Sequence, residues 1–112
     1  MRIKTLMIGD KVCGKVALAD SFLLRLRGLL GRQFDDFDAL HITPCSDIHM
    51  LFMAYPIDVL FVDRSGKIVK IVEHLKPWAL YAGSKAAYSV LEIPDGKAGE
   101  WGAKVGEIIH IQ

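Results

Sequence analysis

The stretch from residue 58 to 75 constrains the fold more than any other. Asp58-Val59-Leu60-Phe61-Val62 is a near-continuous apolar run behind one acid, and Asp63-Arg64-Ser65-Gly66-Lys67 has the composition of a hairpin loop. Ile68-Val69-Lys70-Ile71-Val72-Glu73-His74-Leu75 then supplies a return strand. β-branched and aromatic residues bounded by Gly, Ser and Asp read as a hairpin. A second hairpin is expected from residues 4–8 and 15–19, separated by the turn-prone Gly9–Gly14 segment. Shorter strands are expected at 39–42, which Pro44 terminates, and at 47–53, 88–94 and 107–111. Residues 95–103 fit either a short helix capped by Asp95 or a Gly-rich loop.

One segment has helical periodicity. Phe22, Leu23, Leu26, Leu29 and Leu30 recur at helical spacing behind a capping Asp20 or Ser21, and Gly31 suits a left-handed stop. The expectation is therefore a β-rich α+β domain spanning 1–112. It is a small mixed sheet or partly open β-barrel of seven or eight short strands, with one main helix at about 21–30.

Composition narrows the classes. With 52% hydrophobic and 24% charged residues in 112, the chain has the make-up of an ordinary globule with a core of its own. The net charge of +1 carries no clustered basic face, so no nucleic-acid partner is expected, and Arg25, Arg27 and Arg32 read as a solvated helix face. No apolar run reaches the roughly 20 residues of a membrane span or the ~7–15 of a signal peptide. Membrane insertion is therefore not expected, and the expected location is cytoplasmic. Cys13 and Cys45 form no disulfide framework and read as free, buried thiols.

His41, Cys45 and His49 are spaced by four, which on a helix would place a zinc-like set on one face. Pro44 and the following β-compatible residues argue for a strand, where Cys45 and His49 stand ~13 Å apart. No metal centre and no cofactor are expected from this spacing. Cys45 with His49 or His74 would form a thiolate–imidazolium pair only if tertiary folding joined them. Asp58 must lie at an exposed strand end or find partners, with Lys76, His49 and backbone amides as candidates, because an unpaired buried charge is very costly. The segment His74–Tyr81 places His74, Lys76, Trp78 and Tyr81 around a proline turn, the make-up of a small cleft. Trp78 could equally cover the core, and Trp101 reads as an anchor for its Gly-rich stretch.

Several of these segments together resemble a known family. Arg25-Leu26-Arg27-Gly28-Leu29-Leu30-Gly31-Arg32, then Ile48-His49, Met53 and Pro56 through Asp63, are similar to motifs of domain of unknown function 192. Gly66-Lys67-Ile68-Val69, Lys76-Pro77-Trp78, Val90-Leu91-Glu92, Gly96 and Gly106-Glu107 follow in that family's order. The resemblance implies a compact β-rich fold with one prominent helix and no established reaction. It also implies a cleft rim at the matching positions His49, Met53, Asp58, Lys76 and Trp78. No complete catalytic constellation is legible, so the expected function is a non-enzymatic module binding a small ligand or a protein partner. The alternative is an enzyme using Cys45 and His49, with or without metal; a purely structural accessory domain is a third reading.

Overall fold

The computed structural model describes residues 1–19, 21, 34–48, 50, 53–77, 79 and 81–112. The described elements are β1 (Arg2–Ile8), β2 (Lys11–Ala19), β3 (Ala39–Ile42), β4 (Asp47–Ile48), β5 (Ile57–Val62) and β6 (Ile68–Leu75). They continue with β7 (Ala82–Gly83), β8 (Ser89–Pro94), a single helical turn α1 (Lys97–Glu100) and β9 (Ile109–Ile111). The helix expected at 21–30 lies outside the described residues, apart from Ser21.

Seven strands form one sheet in the order β6-β5-β8-β3-β2-β1-β9, and β4 pairs with β7 in a separate ribbon. Among the described strands only β2 and β3 run parallel, which is what makes the sheet mixed. The sheet curls until its two edges touch. Lys67 bridges Ile108, while Ile68 N–H donates to the Glu107 carbonyl at 2.8 Å and Ile109 N–H to the Gly66 carbonyl at 2.8 Å. The β-rich, partly closed barrel read from the sequence is the fold observed. Edge strands carry unpaired backbone groups, and curling lets part of each edge satisfy the other.

Curling divides the apolar residues into two layers. Leu60 and Val62 of β5 enter an inner cluster with Leu6, Val16, Leu91 and Ile93. Ile57, Val59 and Phe61 enter an outer cluster with Leu40, Ile42 and Val90. Successive side chains point to opposite faces, so cover on both faces explains why all six residues of β5 are buried. That is also why this strand reads as a continuous apolar run rather than an alternating one.

Two segments differ from expectation. β2 starts at Lys11, because Gly9 at φ 58° closes a two-residue turn with Asp10 and Ile8 pairs directly with Lys11. Of the strand expected over 47–53, Asp47–Ile48 is extended and residues 49, 51 and 52 lie outside the described residues; Met53 N–H returns to the Met50 carbonyl at 3.1 Å, and Met50 is fully buried outside any strand. A short apolar run signals burial but not whether the buried backbone is extended.

Candidate functional site

Asp58 begins on the inner face of β5 and is fully buried. Its Oδ1 accepts the His74 N–H at 2.8 Å and its Oδ2 the Ala98 N–H at 2.9 Å. The cause is local. Ile57 pairs with Leu75 but Val59 pairs with Val72, so β6 carries one extra residue opposite Asp58. His74, at φ 54°, turns away at this bulge, and a bulge leaves a backbone amide outside the ladder. Ala98 lies in the first turn of α1, whose amides lack intrahelical acceptors, and Gly96 at the N-cap offers no side chain. Asp58 therefore caps the helical turn from a distant strand and holds the bulge at the same time. Its partners are the backbone amides; Lys76 is not among them.

On the solvent side of this corner, His74 Nδ1 lies 2.6 Å from Asp95 Oδ1. Asp95, expected as a helix cap, instead orients the imidazole, and its hydrogen bond and negative charge raise the pKa of His74. Ligand atoms of Asp58, His74 and Asp95 all lie within 4.8 Å of one another. Zinc bonds of about 2.0–2.2 Å separate tetrahedral ligand atoms by roughly 3.4 Å, whereas the His74–Asp95 approach is a hydrogen bond and both Asp58 oxygens hold backbone donors. The cluster is thus held by two backbone donors to Asp58 and one His74–Asp95 hydrogen bond. Among the described residues Asp95 is the one side-chain partner of His74, so no nucleophile stands against the imidazole.

A second chemically unusual position lies on the opposite face. Glu92 sits in β8 between Leu40 and Val59, at the outer-face parity of Val90. It is 5% exposed, and its Oε1 has no hydrogen-bond partner among the described residues. Burial pushes its carboxyl up to about 7. Tyr55, Phe34 and Met53 pack as half-buried residues over the same outer cluster, with the Phe34 and Tyr55 ring centroids 6.2 Å apart. Burial raises the Tyr55 hydroxyl pKa, and the charges of Glu92 and Asp35 raise it further.

The expected site residues fall in different places. Asp58 faces inward, Met53 packs on the outer layer, and Lys76 is exposed just beyond β6. His49 and Trp78 lie outside the described residues. His41 points inward, between outward-facing Leu40 and Ile42, while Cys45 packs on the outer cluster. Nor do Cys45 and His74 meet. Cys45 N–H bonds the Tyr88 carbonyl before β8 and His74 bonds Asp95 beyond it, roughly 20 Å along an extended chain. Sequence reasoning missed Glu92, although an acid flanked by Val90-Leu91 and Ile93 was a visible signal. It placed His74 in a cleft but had no means of pairing it with Asp95.

Known proteins are similar to this chain over most of its length. A UPF0127 protein of Thermococcus sibiricus is 33% identical over 86% of this chain and 65% of its own length. One of Thermococcus kodakarensis is 36% identical over 86% and 64%, and one of Pyrococcus abyssi is 37% identical over 87% and 86%. The chain thus spans about two-thirds of the length of the two Thermococcus relatives. The fold is similar to a crystal structure of a protein of unknown function from Novosphingobium aromaticivorans, with a TM-score of 0.81, 21% identity and coverage of 96% and 84%. A crystal structure from Sinorhizobium meliloti 1021 aligns with a TM-score of 0.87, 21% identity and coverage of 98% and 94%. The model of domain of unknown function 192, described as "Uncharacterized ACR, COG1430", matches residues 5–111, and the chain belongs to this family.

Proposed function

We propose that this domain is a non-enzymatic binding module that receives a small ligand on the outer layer of its sheet, against Glu92. The observation that carries the reading is the buried Glu92 Oε1, which has no hydrogen-bond partner among the described residues. Native folds pair nearly all buried polar atoms, and an exception calls for a specific reason. A carboxyl in an apolar layer offers one polar anchor beside a large hydrophobic surface, the usual make-up of a ligand site. The matching ligand brings an N–H donor, an amine or guanidinium, together with an apolar body to lie on Tyr55 and Met53. Of the expected rim, Met53 belongs to this layer. Asp58 belongs to the scaffold, because both its oxygens are engaged.

The alternative of a Cys45 enzyme finds less support. The Cys45 Sγ donates to the Asp47 carbonyl at 2.9 Å, which directs the thiol toward a backbone acceptor. Thermal melts with putrescine, arginine and benzylamine test the binding reading. A ligand at a hundred times its Kd adds ~2.7 kcal/mol to native stability, and Glu92→Gln is expected to abolish the shift. A shift of equal size in Glu92→Gln, or none with any amine, would refute the assignment.

A further inference from the structure

A hollow lies at the far end of the β5–β8 pair from the Asp58 corner. Val62, the last residue of β5, pairs with Ser89, the first of β8, so the β5–β6 loop and the segment entering β8 meet here. That segment is fixed by Tyr88 N–H, which donates to the Val62 carbonyl at 2.7 Å, and by Ala87 N–H, which donates to the Ser84 carbonyl at 3.1 Å. The loop is fixed by its own acid. Asp63 Oδ1 accepts the Ser65 hydroxyl at 2.7 Å and the Ser65 and Lys67 N–H groups at 2.9 and 3.0 Å. The hydroxyl first, and then the backbone donors, hold its carboxyl below the ordinary range. Between loop and segment is a space of about 550 Å³, lined among the described residues by Asp63, Arg64, Ser65 and residues 85–88.

Two cations face this space, and their donors are unspent. The Arg64 guanidinium carbon lies 4.3 Å from the Tyr88 ring centroid. A ring face holds a cation through its quadrupole and takes none of its hydrogen bonds to an oxygen acceptor. Among the described residues, Arg64 has no partner other than that ring and Lys85 has no ion pair. The guanidinium is thus positioned while its five N–H donors stay available, and their planar fork matches a carboxylate bidentately. Asp63, ionised on the same wall, decides the charge of the guest. Two cations and one acid leave a single net positive charge, which complements one negative charge and repels a second. The volume falls in the ~300–1,000 Å³ range of organic ligands, with room for a body beyond the carboxylate against Tyr88 and Ala87.

We infer that this hollow binds an organic monocarboxylate, its carboxylate held by the Arg64 fork with Lys85 as the second cation. The inference is independent of the Glu92 reading, which concerns different residues and a ligand of opposite charge. The test is NMR titration of the full chain with benzoate, with benzamide as its neutral counterpart and with inorganic phosphate as a multiply charged anion. Sodium chloride is adjusted to hold ionic strength constant, because exposed charges are salt-screened. The expected result is saturable movement of the amide signals of Arg64, Ser65, Lys85 and Tyr88 with benzoate, none with benzamide, and weaker binding of phosphate. Arg64→Gln, a change at an exposed side chain, is expected to weaken benzoate binding at least fivefold while the remaining spectrum is retained. Lys104→Gln makes the same change in net charge at an exposed residue that does not line the hollow, and is expected to leave the affinity unaltered. Non-saturable movement, movement centred elsewhere, an equal response to benzamide, or tighter binding of phosphate would overturn the inference. So would equal affinities in Arg64→Gln and Lys104→Gln.

Discussion

Replacing Glu92 with glutamine is the most informative single perturbation, because its effect depends on pH in a way the structure dictates. Burial moves this carboxyl from its ordinary 4.5 to about 7. Each pKa unit corresponds to about 1.4 kcal/mol, so ionising Glu92 in the folded state costs about 3 kcal/mol more than in the unfolded chain. Between pH 4.5 and about 7 the folded protein holds a proton that the unfolded chain has released. Stability therefore falls as pH rises through this window, and the loss is complete above it. Glutamine has no proton to lose and nearly the same shape. Glu92→Gln is expected to match the wild type near pH 4 and to exceed it by about 3 kcal/mol at pH 8. For a domain of this size that is a midpoint difference of roughly 10 °C. Urea melts of both proteins at the two pH values read the difference directly, since other carboxylates titrate alike in each. A difference that is the same at both pH values would refute the reasoning: Glu92 would then be either solvated or paired.

Four further perturbations test the scaffold. Asp58→Asn keeps one acceptor but turns an NH2 toward a buried amide, so urea melts should show a loss of about 2–4 kcal/mol; a loss below ~1 kcal/mol would show that the two amide bonds are not what holds this corner. Gly14→Ala places a methyl group against the Asp38 carboxylate at φ 141°, with an expected cost of about 2–3 kcal/mol in urea melts. Leu60→Ala, at the centre of the inner cluster, should cost about 2–5 kcal/mol in the same assay. For the His74–Asp95 pair, the imidazole signals should titrate above the ordinary histidine value and return toward it in Asp95→Asn. The sign follows from the raised folded pKa: the pair's stabilisation is fully present below the unfolded pKa and fades as pH rises through the folded one.

Local pattern made much of the sheet legible. The β5–β6 hairpin, with a loop rich in turn residues between two β-branched runs, was readable because neighbouring residues alone specify it. Strand β3 ended where Pro44 required. Local pattern also misled where one signal has two meanings: Met50, inside the run expected as a strand, is fully buried yet lies outside any strand. Chemistry was less legible than fold. That Asp58 needs partners followed from the cost of an unpaired buried charge. The identity of those partners did not, since His74 and Ala98 lie 16 and 40 residues away.

By itself, then, the sequence determined a single β-rich domain, its central hairpin and the requirement that certain polar groups be satisfied, because these depend on residue spacing and composition. The tertiary structure alone decided which groups meet. Curling of the sheet assigned Asp58 and His41 to the inside and Glu92 and Cys45 to the outside, and it set His74 against Asp95. It also left Glu92 in an apolar layer. Those outcomes depend on register between strands distant in the chain, which no local pattern encodes.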